Sequence, residues 1–159
     1  LRLRGLDRID WKSLSAMNPK VLKIEQSVCE PPPTAGAAGF SRLVEADFSG
    51  TPLPSADFLR GCTALEILNL SGSRLQSFPQ LETRKLRFLN LDSANLPEIR
   101  RLLGWPLEEL VLSPEMTANP SALHFLRFHK TLRSVRVPGD PPGQSAEEFW
   151  KKLEAGAYD

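Results

Sequence analysis

Residues 65–106 read LEILNLSGSRLQSFPQLETRK and then LRFLNLDSANLPEIRRLLGWP, two halves of 21 residues that align without a gap. Leu65, Leu68, Leu70 and Leu75 recur as Leu86, Leu89, Leu91 and Leu96. The leucines at the fourth and sixth places are two apart, so they share one face of an extended strand, and the residue between them faces away. One such strand cannot stand alone. Burying a leucine is worth about 1.5–3 kcal/mol, whereas fixing the backbone of each of roughly twenty residues costs about 1–2 kcal/mol. Stacking copies side by side pairs their backbones and covers both leucines, so the spacing predicts a ladder of parallel strands. A small residue, Ser73 or Ala94, holds the ninth place and lets the chain turn inward. The bonds that an Asn there would make to the turn are expected to be absent or weaker.

The spacing extends over the whole chain. Taking the fourth place as a mark gives Leu1, Leu22, Ala46, Leu68, Leu89, Leu110 and Val135, at intervals of 21, 24, 22, 21, 21 and 25 residues. A pattern L-x-x-L-x-L-x-x-(small)-x-L with this period resembles the leucine-rich repeat. The resemblance implies an α/β fold, a short right-handed horseshoe solenoid of about seven parallel strands. Residues 1–140 would form the solenoid, with a loop at 30–41, and residues 141–159 its C-terminal end.

Between the strands the chain carries turn and helix signals. Asp10 can cap a short turn holding Trp11 and Leu14, ended by Asn18-Pro19. Cys29 falls on the eleventh place and is expected to be a small core residue, and the run Pro31-Pro32-Pro33 with TAGAAG reads as a surface loop. Ser55 can cap a turn with Phe58 and Leu59; Gly61 closes it, and Cys62 points back to the core. Phe78-Pro79 favours an extended return. Pro97, Ile99, Leu102, Leu103 and Gly104 suggest a helical turn with its three aliphatic residues on one face. The sixth copy departs from the pattern at Glu115 and Thr117, and Asn119-Pro120 starts a longer helix with Leu123, Phe125, Leu126 and Phe128 inward. Ser145 with Glu148 forms a capping box that opens a helix over 145–155, with Phe149, Trp150 and Leu153 on one side and Gly156 as its stop. This helix is expected to cover the end of the sheet, where a bare edge would expose unpaired backbone.

Composition narrows the function classes. Twenty Lys and Arg against nineteen Asp and Glu leave a net charge of +1, so no whole-molecule field favours nucleic acid. No apolar run approaches membrane-spanning length, and these residues show no signal-peptide pattern, so none is expected in this stretch. Cys29 and Cys62 make no disulfide framework. His124 and His129 lie five apart, not the four that share a metal on a helix face, and read as surface residues. No phosphate loop, nucleophile elbow or HExxH occurs. No catalytic residue, metal or cofactor is therefore expected.

Binding is the remaining class, and the strand register says where. The third-place column reads Val21, Glu45, Ile67, Phe88, Glu109, Ser134; the fifth reads Arg2, Lys23, Asp47, Asn69, Asn90, Val111, Arg136; the seventh reads Arg4, Glu25, Ser49, Ser71, Asp92, Ser113. These columns should line the exposed concave face. Seven strands about 4.8 Å apart span roughly 29 Å, enough for a protein or peptide footprint. Ile67 and Phe88 should be neighbours there, flanked by Asn69, Asn90 and Asp92, with Asp47, Glu45 and Glu109 further out. An apolar centre with a polar rim is how binding energy is often concentrated.

The tail PPGQSAEEFWKKLEAGAY, residues 141–158, carries Ala146, Glu148, Phe149, Trp150 and Gly156 in an A-x-E-F-W helix that ends near a glycine. It is similar to the closing segment of multidomain planctomycete and verrucomicrobial leucine-rich-repeat proteins, many of them linked to a serine/threonine kinase. The resemblance implies a bacterial accessory module that recruits a protein to a signalling enzyme; a cytoplasmic location and a monomer are expected beside it. Leu1 falls inside a copy, so a fragment of a larger protein is expected. A structural or oligomerisation spacer, and an autoinhibitory surface for an attached enzyme, are the alternatives.

Overall fold

The structure, a computed structural model, describes residues 1–28, 39–77, 79–93 and 98–158. Its centre is one sheet of seven parallel strands in sequence order: β1 Arg2–Arg4, β2 Val21–Glu25, β3 Glu45–Asp47, β4 Ile67–Asn69, β5 Phe88–Asn90, β6 Glu109–Val111 and β7 Ser134–Arg136. The pairing follows the spacing of the leucines. Leu22 faces Ala46, then Leu68, Leu89, Leu110 and Val135, each in direct register with the next. All six of these side chains are fully buried. In β3, β4 and β5 the third- and fifth-place residues on either side of them are half-buried, the alternation expected of a sheet with one covered face.

Behind the leucines run the return segments. Asp10 caps α1 (Trp11–Met17), accepting from the N–H groups of Lys12 and Ser13, and Asn18 ends it in the left-handed region. Ala46, the short side chain in the fourth-place row, is matched by the larger Phe48 two residues on. Phe48 packs with Trp11 and Phe58, the rings 5.3–6.4 Å apart. Gly39 passes so close to α1 that a Cβ on it would lie 2.2 Å from the Ser15 Cβ. Ser55 accepts from the Asp57 N–H at the start of a 3₁₀ turn, Asp57–Leu59, and Phe58, Leu59 and Cys62 are buried.

Two return segments differ from expectation. Residues Ile99–Gly104 form a 3₁₀ helix. Its period of three puts Ile99 and Leu102 on the core side and turns Leu103 outward, half exposed. In the sixth repeat the chain forms α2 (Pro114–Thr117) and α3 (Pro120–Leu123), which tightens into a 3₁₀ helix over His124–Phe128. The tightening keeps Leu123 and Leu126 inward, leaves Phe125 half-buried and throws Phe128 into solvent. The expectations for Cys29, the proline run, Phe78, Ala94, Leu96 and Pro97 fall outside the described residues.

Three backbone devices recur at fixed places. At the eighth place the chain adopts a positive φ: Gly5, Gln26, Gly50, Gly72, Ser93 and Gly139. At the fifth place Asp47, Asn69 and Asn90 each accept from the N–H two residues on, at 2.9–3.1 Å. At the ninth place the second, third and fourth repeats carry a hydroxyl. The Ser27 Oγ accepts from the Leu6 N–H, and the Thr51 Oγ1 accepts from the Ser27 N–H and donates to the Ile24 carbonyl. The Ser73 Oγ donates to the Leu70 carbonyl at 2.6 Å. The turn bonding expected to be absent or weaker at Ser73 is therefore present, carried by its hydroxyl, as it is at Ser27 and Thr51. Among the described residues no buried side-chain nitrogen or oxygen lacks a partner.

The C-terminal helix α4 (Ala146–Glu154) closes the sheet. Ser145 and Glu148 form the capping box, and Gly156 takes a positive φ after the helix. Phe149 is fully buried, and Leu153 nearly so. The outward backbone groups of β7 are claimed one by one: the Arg133 carbonyl by the Ala146 N–H, the Val135 carbonyl by the Gln144 side chain, and the Val137 N–H by Asp140. Asp140 also accepts from the Tyr158 hydroxyl at 2.8 Å and from the Lys152 ammonium at 2.5 Å. Burial pushes its carboxyl upward, but these donors outweigh burial and hold it below the ordinary carboxylate range. Burial, with Asp140 beside it, pushes the Tyr158 hydroxyl up to about 12.

Candidate functional site

The face of the sheet opposite the leucines is built from the third- and fifth-place columns, and the observed register matches those columns residue by residue. Ile67 and Phe88 are direct cross-strand partners at its centre, both half-buried. Asn69 and Asn90 lie beside them, also in register, and Asp92 follows one turn on.

The two ends of the face are charged, and the charges are paired between repeats. Arg2 holds Glu25 at 2.9 Å, Lys23 pairs with Glu45, and Arg136 reaches Glu109 at 3.3 Å. The Glu45 hydrogen bond raises the Lys23 ammonium above its ordinary range, and Glu25 does the same for Arg2. Glu45 and Glu109 thus enter the site already neutralised. Exposed pairs of this sort add little stability, but they remove the free charge that would otherwise recruit a counter-ion. Ile67 and Phe88 therefore form an apolar centre whose polar flank keeps two carboxylates, Asp47 and Asp92.

Three features of the face were not legible in the residue types. Asp47, Asn69 and Asn90 spend one side-chain oxygen on their own turns, so Asn69 and Asn90 present mainly their NH₂ groups. Val111, expected on the exposed face, is buried beside its register partner Arg136. Ser113, in the seventh-place column, is buried as well.

The other residues singled out by sequence fall elsewhere. His124 is exposed, whereas His129 is half-buried with its Nε2 3.3 Å from the Leu102 carbonyl, a correction to its expected surface position. Cys62 is buried, and burial pushes its thiol up to about 12, which makes it unreactive near neutrality. Among the described residues no three His, Cys, Asp or Glu side chains gather as metal ligands. No helix among them is long and apolar enough to cross a membrane.

Comparison of the chain with protein-family models, with curated proteins and with solved structures finds no match.

Proposed function

We propose that the chain is a leucine-rich-repeat solenoid whose open face binds a protein or peptide partner, with no catalysis of its own. The observation that carries this is the Ile67–Phe88 pair, set among Asn69, Asn90 and Asp92 between ends where Arg2, Lys23 and Arg136 pair with Glu25, Glu45 and Glu109. Partly exposed apolar side chains ringed by polar groups suit an interface in which a few buried contacts dominate. An open row of strands suits an extended or protein-sized partner better than a small molecule, which needs an enclosing pocket. The resemblance of the tail supports a recruiting role beside a bacterial signalling enzyme.

The test uses peptides enriched on the intact protein from a random display library, with affinities measured by fluorescence anisotropy. The double variant Ile67→Ala/Phe88→Ala is expected to bind them at least about tenfold more weakly, a loss of about 1.4 kcal/mol. Its melting temperature should fall by only a few degrees, because cross-strand pairs contribute about 0.2–1 kcal/mol. Unchanged affinity in the double variant would remove this site.

A further inference from the structure

The fifth-place turns of β4 and β5 use only half of the side chain that makes them. In β3 a carboxylate holds the turn, with Asp47 Oδ1 accepting from the Ser49 N–H at 2.9 Å. Asn69 and Asn90 do the same with their amide oxygens, accepting from the N–H groups of Ser71 and Asp92 at 3.1 and 3.0 Å. Only the oxygen of an amide can accept, so the turn fixes which end of each side chain points away from it. The turn needs an acceptor alone, and Asp47 shows that no NH₂ group is required. Among the described residues neither the Asn69 nor the Asn90 NH₂ group has a partner. No buried side-chain nitrogen among them lacks one, so both NH₂ groups are open to solvent. They stand on register neighbours, one strand spacing of about 4.8 Å apart. Each is two residues from Ile67 or Phe88 on the same face. The acceptor-only side chain occurs where the third place is Glu45, and the amide occurs where it is apolar.

The surroundings narrow what can accept from these two donors. Of the carboxylates in the third, fifth and seventh columns, Glu25, Glu45 and Glu109 are paired. Asp47 and Asp92 make no ion pair among the described residues, and they flank the amides. Asp47 is the register partner of Asn69, and Asp92 lies two residues beyond Asn90. Asp47 adds to the field that keeps Lys23 charged, but the Lys23 ammonium is itself bonded to Glu45. Arg4, the remaining cation of the columns, is held by Gln26 at the far end of the sheet. At the strand entries Glu66 pairs with Arg87. A carboxylate or phosphate brought to the two NH₂ groups would therefore meet like charge on both sides. A neutral carbonyl would not. A peptide main chain supplies carbonyls for the amides and, alternating with them, N–H groups for Asp47 and Asp92.

We propose that the open face reads the main chain of an extended peptide segment of another protein. Asn69 and Asn90 donate to carbonyl oxygens of that segment, while one of its apolar side chains rests on Ile67 and Phe88. This rests on the open-face reading above and assigns the residues that determine its specificity. Recognition is then of backbone geometry and one apolar anchor, and tolerates change elsewhere in the segment.

The probe is a peptide enriched on the intact protein that loses affinity for Ile67→Ala/Phe88→Ala. Titrated into isotope-labelled protein, it is expected to shift the side-chain NH₂ resonances of Asn69 and Asn90 together. Asn69→Asp and Asn90→Asp keep the turn acceptor and remove the donor; each should melt as wild type does and bind at least about threefold more weakly. Asn69→Ser and Asn90→Ser keep an acceptor without adding charge, and should weaken binding by a similar factor. Replacing the peptide's amides one at a time by esters weakens each carbonyl as an acceptor. At one position or more the ester should cost at least about threefold with wild type and nothing further with an Asn→Ser variant. The proposal is overturned if the NH₂ resonances stay in place, if the Asp and Ser variants bind as tightly as wild type, or if no ester effect depends on Asn69 or Asn90. A neutral oligosaccharide that moves both resonances when the peptide does not would also overturn it. In each of these cases the loss in Ile67→Ala/Phe88→Ala still marks the open face as the site. If no enriched peptide is sensitive to that double variant, the open-face reading fails and this inference fails with it.

Discussion

Repeats three to five and repeat six start from the same strand and end differently. In the third to fifth repeats the turn after the strand is set by Asp47, Asn69 or Asn90 at the fifth place and by Gly50, Gly72 or Ser93 with positive φ at the eighth. Thr51 and Ser73 add hydroxyls at the ninth. The sixth repeat replaces all three, with Val111, Pro114 and Glu115. Proline cannot take a positive φ, so the chain cannot make the same turn and winds into α2 instead. The detour carries the return segment through α3 and the following 3₁₀ helix, and beside α4 it opens a groove lined in part by Trp150. The loss of all three turn devices, with proline at the eighth place, thus separates a surface that continues the stack from one that departs from it.

If the regular repeats are held by their turns and the end by its helix, damage to the two should differ in kind. The largest effect is expected at the helix. Phe149→Ala should cost about 3–5 kcal/mol by emptying a fully buried site, read from the midpoint of urea unfolding. Next comes Asp140→Ala, which strands the Val137 N–H, the Tyr158 hydroxyl and Lys152; a cost of about 2 kcal/mol at neutral pH is expected. The sign of its pH dependence follows from a lowered carboxyl pKa. The stabilisation is complete above the ordinary value of 3.8 and fades as pH falls through the lower folded value, so wild type and variant should converge in acid. A gap between them that widens in acid would contradict the assignment.

Within the regular repeats, Gly72→Ala should cost about 1–2 kcal/mol, because a Cβ is penalised at φ +67. Ser93→Gly should do the opposite and stabilise by up to about 1 kcal/mol, since Ser93 sits at φ 61 where the two preceding repeats carry Gly50 and Gly72. Thermal melts of the two variants, run together, measure the conformational demand of the eighth place from both sides.

What the sequence made legible follows from what is periodic in it. The leucine at the fourth place fixes register, because a slip of one residue would turn every buried side chain to water. Ile67 and Phe88 could be placed side by side on that ground alone. The turn devices are periodic too, but they are spread over Gly, Gln and Ser at one place and Ser and Thr at another, so no residue type marks them. Pro114 did mark the break; its meaning depended on knowing that the eighth place needs a positive φ. The sixth return was the hardest to read. Leu123 and Leu126 fit a helix of either period, and only the tightening to three residues per turn decides that Phe128 leaves the core. At the candidate face, opposite charges one strand apart are visible in the columns, whereas the burial of Val111 is not.

The stack itself is best tested by nuclear Overhauser contacts between backbone protons of neighbouring strands in the intact protein. An unbroken series is expected, joining the strand of Leu22 to that of Ala46, then Leu68, Leu89, Leu110 and Val135 in parallel register, with slow amide exchange along it. Contacts between strands that are not consecutive, or in antiparallel register, would contradict the parallel ladder from which the proposed surface is derived.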